Sequence, residues 1–277
     1  MRLGVFTVPD AADPDGTVKQ IVAADRAGLD LIGVQDHPYQ RRFLDTWTLL
    51  SYAAGLTREI RLVPDVANLP LRLPSVLAKS AASLDLLSGG RVELGIGTGA
   101  FWDAIAAMGG PRRTPKESVD ALEEAIAILR GFWSGERSLS LGGEHYRVHG
   151  AKPGPAPAHP IGLWIGAYGP RMLRLTGRLG DGWLPSLGNM STDDVPAMHG
   201  LVDEGARRAG RDPTEIERAI NLPPLDGDPE SWVDRLARIV TELRFSTLIV
   251  GVPDEDPLGF IGLLGEDVTP KLRERAP

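Results

Sequence analysis

The stretch VLAKSAASLDLLSGGRVELGIG, residues 76–97, contains one complete unit of a helix followed by a strand. Apolar side chains in its first half recur every three or four residues, as on one helix face, at Val76, Leu77, Ala81 and Leu84. Gly89 stands where this helix should end in a left-handed residue, and Gly28 and Gly55 hold the same place elsewhere. The apolar run 91–97 then predicts a strand.

The same alternation continues along the rest of the chain. Together with residues 91–97 there are eight strand candidates, at residues 2–7, 30–35, 60–66, 91–97, 161–166, 182–184, 216–222 and 247–251. After the fourth candidate, Thr114-Pro115-Lys116-Glu117 has the form of a capping box with proline at the first helical position. Residues 142–146, Gly-Gly-Glu-His-Tyr, predict a hairpin turn.

A regular alternation of strands and helices predicts parallel strands joined by right-handed crossovers. Such units build either an open, doubly wound sheet or a closed barrel. Eight units in 277 residues match the barrel, and no linker divides the chain. We therefore predict an α/β protein with a (β/α)8 TIM-barrel fold, formed by a single domain over residues 1–277.

The composition excludes several classes of function. The chain has no cysteine, which excludes disulfides, thiolate metal sites and a cysteine nucleophile, and which fits the cytoplasm. A net charge of −7 argues against a nucleic-acid partner. No run of about eighteen apolar residues and no signal-peptide pattern is present. We expect a cytoplasmic protein without a membrane partner that acts on a small molecule.

In a (β/α)8 barrel the functional residues lie on the loops that follow the strands. After the second strand, Asp36 precedes His37, a carboxylate beside an imidazole. Histidine moves protons near neutral pH, and aspartate accepts a hydrogen bond from a bound ring N–H. The alternative is a buried, hydrogen-bonded histidine beside a capping aspartate.

The fifth strand ends in a glycine-rich turn, Gly166-Ala167-Tyr168-Gly169-Pro170-Arg171-Met172, that opens a helix. Free N–H groups and the helix dipole at such a turn favour phosphate, and Arg171 could add a charge-assisted contact. Gly169 is expected to need a backbone angle that only glycine tolerates. The alternative is a tight turn whose glycines serve backbone shape alone.

Two other motifs are weak. Gly95, Gly97 and Ala100 match a dinucleotide fingerprint, but the helical segment after them is short and ends at Gly109. His145 and His149 have a spacing seen in metal sites, yet His145 lies within the predicted hairpin turn, so we expect no metal.

Four segments, residues 71–99, 143–148, 164–172 and 180–183, resemble together the bacterial-luciferase-like monooxygenase superfamily, and in particular its branch that depends on the deazaflavin coenzyme F420. The resemblance covers residues 1–190 and fades beyond. It implies that Asp36 touches the edge of the deazaflavin ring and that His37 faces the substrate, both as catalytic residues. It also implies a bulge at Asp65 and Val66, commonly with a cis peptide, under the ring.

The resemblance further implies a set of cofactor-binding residues around that ring and its tail. Near the ring they are Asn68, Gly97, Thr98 and Gly99. Asp103 lies near the ribityl chain, and the phosphate is held by Gly166, Ala167, Tyr168, Gly169, Pro170, Arg171 and Met172. Two positions depart from the family pattern. Ala100 replaces the glutamate of the sugar-phosphate dehydrogenases in this branch, which argues against that substrate class. Asp65 replaces a small residue.

The predicted function is hydride transfer between F420 and a small organic substrate. An FMN-dependent monooxygenase that uses reduced flavin and O2 is the alternative, and a non-catalytic barrel is a third reading. Four aromatic residues are predicted to line the substrate pocket or to pack against the cofactor: Phe6, Tyr39, Trp102 and Trp183. The resemblance also implies a homodimer.

Overall fold

The computed structural model describes residues 1–276 and contains eleven strands. All of them pair in parallel except the β6–β7 hairpin. The strands are β1 (Arg2–Thr7), β2 (Leu31–Val34), β3 (Arg61–Pro64), β4 (Ala67–Asn68), β5 (Leu94–Gly97), β6 (Leu139–Gly142), β7 (Arg147–Ala151), β8 (Leu163–Ile165), β9 (Gly182–Trp183), β10 (Glu217–Leu222) and β11 (Thr247–Gly251).

The parallel strands follow one another around a barrel, in the order β3-β2-β1-β11-β10-β9-β8-β5-β4. β3 lies within the predicted third strand, residues 60–66, and β4 continues it beyond the predicted end, after Asp65 and Val66. β3 pairs with β2 and β4 pairs with β5, so this divided strand closes the ring. Leu62 reinforces the closure, since its N–H donates to Arg91 O at 2.7 Å. The predicted (β/α)8 barrel is confirmed, with all eight strand candidates present.

Helices follow the strands on the outside of the barrel. Proline occupies one of the first positions of most of them, where its missing N–H and fixed φ are harmless. The helices are α1 (Pro14–Arg26), α2 (Thr46–Ala54), α3 (Pro74–Ser88), α4 (Trp102–Ala107), α5 (Pro115–Trp133), α6 (Pro170–Leu179), α7 (Val195–Arg208), α8 (Pro229–Thr241), α9 (Pro257–Leu263) and α10 (Thr269–Arg275).

Helix ends follow the sequence signals with one exception. Thr114 and Glu117 form the predicted capping box at the start of α5. Gly28 and Gly89 have φ of 71° and 74°, the left-handed conformation expected after a helix. Gly55 has φ of −75°, so the prediction of a left-handed cap is wrong there. The end of α2 is capped instead by Thr57, whose hydroxyl donates to Ala53 O at 2.9 Å.

Apolar side chains fill two separate layers. The barrel interior contains a small cluster formed by Leu31, Val63, Trp164, Leu184, Ala219 and Ile249. The larger cluster lies between strands and helices. No helix within residues 1–276 combines the length and the apolar character needed to cross a bilayer.

Helices α6 and α7 approach each other backbone to backbone. A Cβ atom added at Gly177 would lie 1.9 Å from Val202 O, and one added at Gly205 would lie 2.1 Å from Arg174 O. Real Cβ atoms do not approach carbonyl oxygens this closely, so both positions require glycine for reasons of space. The contact fixes α6, and therefore the turn that precedes it, against α7.

Candidate active site

A cavity of about 430 Å³ opens at the carboxyl ends of the strands, where a (β/α)8 barrel carries its active site. This central cavity brings together residues that are far apart in the sequence. The predicted site residues that line it are Phe6, Asp36, His37, Tyr39, Asp65, Val66, Asn68, Gly97, Thr98, Gly99, Gly166 and Tyr168.

A second cavity of about 730 Å³ adjoins the central one and shares Thr98 and Gly99 with it. This side cavity contains the start of α6, at Gly169, Pro170, Arg171 and Met172. Trp102 also lines it. Trp102 thus lies apart from Phe6 and Tyr39, beside the turn that was predicted to bind phosphate, and its role against substrate or cofactor stays a prediction.

Three predicted residues lie outside both cavities. Trp183 is completely buried, and its indole N–H donates to Ala167 O at 2.9 Å, so the prediction that it lines the substrate pocket is wrong. Its ring packs on His199 and Phe245 in the outer core. Ala167 is buried beside it, whereas Asp103 is almost fully exposed and pairs with Arg112. The cofactor roles of Ala167 and Asp103 stay predictions.

His37 is held by neighbours on three sides. Its ring stacks on Tyr39, with centroids 5.3 Å apart, and meets the edge of Phe101 at 5.5 Å. Gln35 Nε2 lies 3.0 Å from His37 Nδ1. Because an amide N–H donates, Nδ1 accepts, and the neutral ring then carries its proton on Nε2. Burial lowers the pKa of His37 below 6.5 despite the nearby Asp36, so the ring is neutral at pH 7.

Asp36 is engaged by protein groups. Its two carboxylate oxygens accept hydrogen bonds from Arg72 Nη2 and Nε, each at 3.2 Å, and Oδ2 also accepts from the Asn68 N–H at 3.1 Å. Only 1% of its surface is exposed. Arg72 also binds Asp45 at 2.7 Å. The carboxylate of Asp36 therefore orders the loops after β2 and β4, a role that the sequence did not indicate.

The floor of the central cavity is formed by Asp65 and Val66. The peptide bond between them is cis, as the resemblance implied. Gly97 is required beside it, because a Cβ atom there would lie 2.7 Å from Val66 Cγ2. Asp65 is buried, and its Oδ1 accepts from Asn221 Nδ2 at 2.9 Å. Burial raises the pKa of Asp65 to about 7, an effect that the bond from Asn221 only partly offsets.

The start of α6 differs from its prediction in two details. Gly169 has φ of −76°, an angle that other residues adopt, and a Cβ atom there would meet no protein atom within 4 Å. Glycine is therefore not needed for backbone shape. Arg171 pairs with Asp120 and also donates to Lys116 O at 3.2 Å, so its guanidinium is already engaged. The free N–H groups of the first helical turn remain the anion-binding feature of this end.

The central cavity contains functional candidates that the sequence analysis missed. They are Gln35, Phe101, Leu184, Ser186, Asn189 and Asn221, together with Arg72 behind Asp36. Asn221 carried a signal, since it is a polar residue two positions after Ala219, whose side chain points into the barrel. Arg72 carried none, because its partner is 36 residues away. No group of three or more His, Asp or Glu side chains within residues 1–276 is arranged to hold a metal ion.

The fold and the site define the class of this protein: it is a parallel (β/α)8 barrel with a divided third strand and two adjoining cavities at the carboxyl ends of its strands. The sequence profile of the family described as luciferase-like monooxygenase matches residues 1–255. The chain belongs to this family.

Two curated relatives and one solved structure illustrate the similarity. An F420-dependent glucose-6-phosphate dehydrogenase from Intrasporangium calvum is 33% identical, over 99% of this chain and 99% of the relative. An F420-dependent hydroxymycolic acid dehydrogenase from Mycobacterium tuberculosis is 32% identical, over 91% of this chain and 69% of the relative. An F420-dependent secondary alcohol dehydrogenase, solved with an F420–acetone adduct, has a TM-score of 0.85 at 19% identity, covering 98% and 99% of the two chains.

Proposed function

We propose that this protein is an F420-dependent oxidoreductase that transfers hydride between the deazaflavin and a small organic substrate. The observation that carries the proposal is His37, a neutral imidazole fixed by Gln35 in the wall of a cavity whose floor is Asp65 and Val66. The full-length similarity to F420-dependent dehydrogenases supports the choice of cofactor.

The two cavities fit a cofactor that has a flat ring at one end and a phosphate in its tail. The central cavity offers Gly97 and Gly166 next to Val66, where the absence of side chains leaves a smooth surface for a ring. The side cavity offers the start of α6 with the open position of Gly169, where N–H groups favour an anion. Thr98 and Gly99 line the passage between the two.

When bound, the deazaflavin supplies a ring carbon that gives or accepts a hydride. His37 acts on the substrate. Its Nε2–H donates a hydrogen bond to the oxygen of a carbonyl group, or of the alkoxide that remains once an alcohol has given its proton to solvent, and stabilises the negative charge there. Gln35 keeps the proton on Nε2 by donating to Nδ1, and the rings of Tyr39 and Phe101 restrict the imidazole and exclude water.

The lining of the central cavity indicates which substrates fit. Among its described residues there is neither lysine nor arginine, so no cationic side chain is available for a substrate phosphate. Ala100 lines the cavity, and the resemblance implies a glutamate at this position in the sugar-phosphate dehydrogenases. We therefore infer that the substrate is an uncharged alcohol or carbonyl compound and is not glucose 6-phosphate.

The experiment that tests the proposal is a titration of the purified protein with F420 and with FMN. The proposal expects binding of F420, detected by quenching of its fluorescence, and no stoichiometric FMN after purification. Copurifying FMN would contradict it and favour a flavin-dependent monooxygenase. Binding of neither cofactor would favour a non-catalytic barrel.

Replacing Gly169 with valine is expected to weaken F420 binding by roughly tenfold or more, because the phosphate of the cofactor loses one charge-assisted contact with the start of α6. The folded protein accommodates this side chain, since no protein atom lies within 4 Å of the added Cβ. A phosphate bound at this position would clash with the same side chain. The measurement is F420 titration of Gly169→Val beside Gly142→Val, a change at an equally open glycine of the hairpin. Wild-type affinity in Gly169→Val would place the phosphate elsewhere.

We further propose that the protein is a homodimer formed through α2 and α3. These neighbouring helices and their ends expose large apolar side chains at Tyr52, Leu73, Val76 and Leu87, and exposed apolar surface is typical of an interface. Light scattering should give twice the chain mass of 29.7 kDa, and Leu87→Glu should lower that mass. The single domain over residues 1–277 and the cytoplasmic location stay predictions.

A further inference from the structure

Three buried hydrogen-bond acceptors in the central cavity have no donor. They are Asp65 Oδ2, Asn68 Oδ1 and Asn221 Oδ1. All three residues line the cavity, and Asp65 and Asn68 are more than nine-tenths buried. Buried polar atoms in folded proteins are almost always paired, and each unpaired one costs free energy. Three acceptors at one cavity therefore indicate a missing partner that donates hydrogen bonds.

Space is reserved around the Asp65 carboxyl group. A Cβ atom at Gly33 would lie 2.7 Å from Asp65 Oδ2, so the glycine on β2 is what admits the carboxyl into the barrel. Asn221 on β10 orients the other oxygen through its bond to Oδ1. Within residues 1–276 no cation forms a salt bridge with Asp65, although a buried carboxylate is normally paired. The group is thus positioned but not neutralised by the protein.

We propose that Asp65 and Asn221 form a recognition site for a hydrogen-bond donor, a hydroxyl, amide N–H or amine, carried by the molecule that binds in the central cavity. The inference rests on the proposed function of that cavity and adds a polar determinant to it. The donor belongs either to the cofactor ring or to the substrate, and the chemistry required is the same. Asp65 is a binding residue in this scheme, and His37 remains the group that acts on the reacting oxygen.

The pH dependence of binding distinguishes this site from its neighbours. The carboxylate accepts a donor better than the carboxylic acid does, so binding strengthens as Asp65 ionises around its pKa of about 7. The other titratable side chains at the cavity are Asp36, His37, Tyr39 and Tyr168. Burial moves the pKa of His37 below 6.5 and that of Tyr39 to about 12, and Asp36 is paired with Arg72. A change between pH 6 and pH 8 that disappears in Asp65→Asn is therefore attributed to Asp65.

The test measures Asp65 directly. In protein labelled with 13C at the aspartate carboxyl groups, the signal that disappears in Asp65→Asn belongs to Asp65. The titration midpoint of Asp65 is measured in three samples: the protein without ligand, the protein with F420, and the protein with 2-propanol, the smallest secondary alcohol. The probe that carries the donor should shift the midpoint to lower pH, which identifies the source. F420 affinity is measured in parallel at pH 6 and pH 8.

If the donor is on the cofactor, wild-type affinity for F420 should rise about tenfold from pH 6 to pH 8, following ionisation of one group. Asp65→Asn, which keeps the acceptor for Asn221, should lose that dependence. Asp254→Asn removes an exposed carboxylate from the loop after β11 and should keep it. If the donor is on the substrate, F420 affinity is independent of pH and only 2-propanol shifts the midpoint.

The inference is overturned if neither probe shifts the Asp65 midpoint. It is also overturned if wild-type affinity for F420 rises from pH 6 to pH 8 and Asp65→Asn keeps that rise. The carbon titration uses wild-type protein with both probes, so it decides the matter even if the variant folds poorly. Failure of F420 to bind wild-type protein at any pH would instead contradict the proposed cofactor, and the 2-propanol titration would then decide this inference alone.

Discussion

Replacing His37 with alanine is expected to lower kcat by about 10²–10⁴-fold while F420 affinity is nearly kept, the usual effect of losing a group that donates or moves a proton in the transition state. The ring is half-buried at the mouth of the barrel, stacked on Tyr39, so its removal opens no cavity in the core. The free energy of unfolding should change little. Steady-state kinetics, F420 titration and denaturant unfolding measure the three quantities.

The pH profile of wild-type enzyme gives an independent check on His37. Its pKa is lowered by burial, so the ring is neutral above 6.5. In acid Nδ1 gains a proton and no longer accepts from Gln35, so the ring loses the contact that holds it in place. Titration of His37 should therefore leave kcat unchanged at neutral pH and should lower it in acid. Gln35→Leu, which removes the donor to Nδ1, should change the acid limb of the profile. An unchanged kcat in His37→Ala would remove this residue from the mechanism.

Replacing Arg72 with methionine is expected to destabilise the fold by about 3–5 kcal/mol, the cost of leaving a buried charge without its partner. Asp36 is 1% exposed and receives two of its hydrogen bonds from Arg72. Methionine retains most of the volume, so the change isolates the lost charge and hydrogen bonds from a loss of packing. Denaturant unfolding at pH 7 gives the free energy.

The matched control is the double variant Asp36→Asn with Arg72→Met. An uncharged amide is less costly to bury than an unpaired carboxylate, so the double variant should recover part of the stability that Arg72→Met loses. Both variants are compared by unfolding, without reference to turnover. A double variant whose loss of stability relative to wild type equals the sum of the losses in Arg72→Met and in Asp36→Asn would show that the two side chains do not interact.

The barrel was predictable because its strands are buried on both faces and are therefore continuous in hydrophobic residues. Leu248-Ile249-Val250 in β11 is an example. Helix starts were equally predictable at Thr114 and Pro115, where capping needs only neighbours in the sequence. The loop after the second strand then pointed to His37, because the architecture places such residues at one end of the barrel, and the resemblance added Asp65 and Gly97.

The parts of the site that were missed depend on contacts between distant segments. Arg72 lies in the segment 71–99 that carries the resemblance, but nothing in that segment indicates its role, which exists only because β2 and β4 bring Asp36 within reach. Trp183 was misassigned for a related reason. Adjacent residues on a strand face opposite sides, and Trp183 points outward into the helix layer while Leu184 reaches the cavity. A two-residue strand is too short for its pattern to indicate which face is which.

The paired glycines of α6 and α7 set a limit on how this scaffold can be altered. Gly177 and Gly205 let the backbones of the two helices touch. Backbone atoms cannot move aside by changing rotamer, so the contact leaves no room for an added methyl group. In a saturation library, these two positions should therefore tolerate almost no exchange, whereas the open Gly200 one turn earlier on α7 should accept many residues. Laboratory evolution for new substrates would then proceed through the loops of the central cavity, with the start of α6 inherited unchanged.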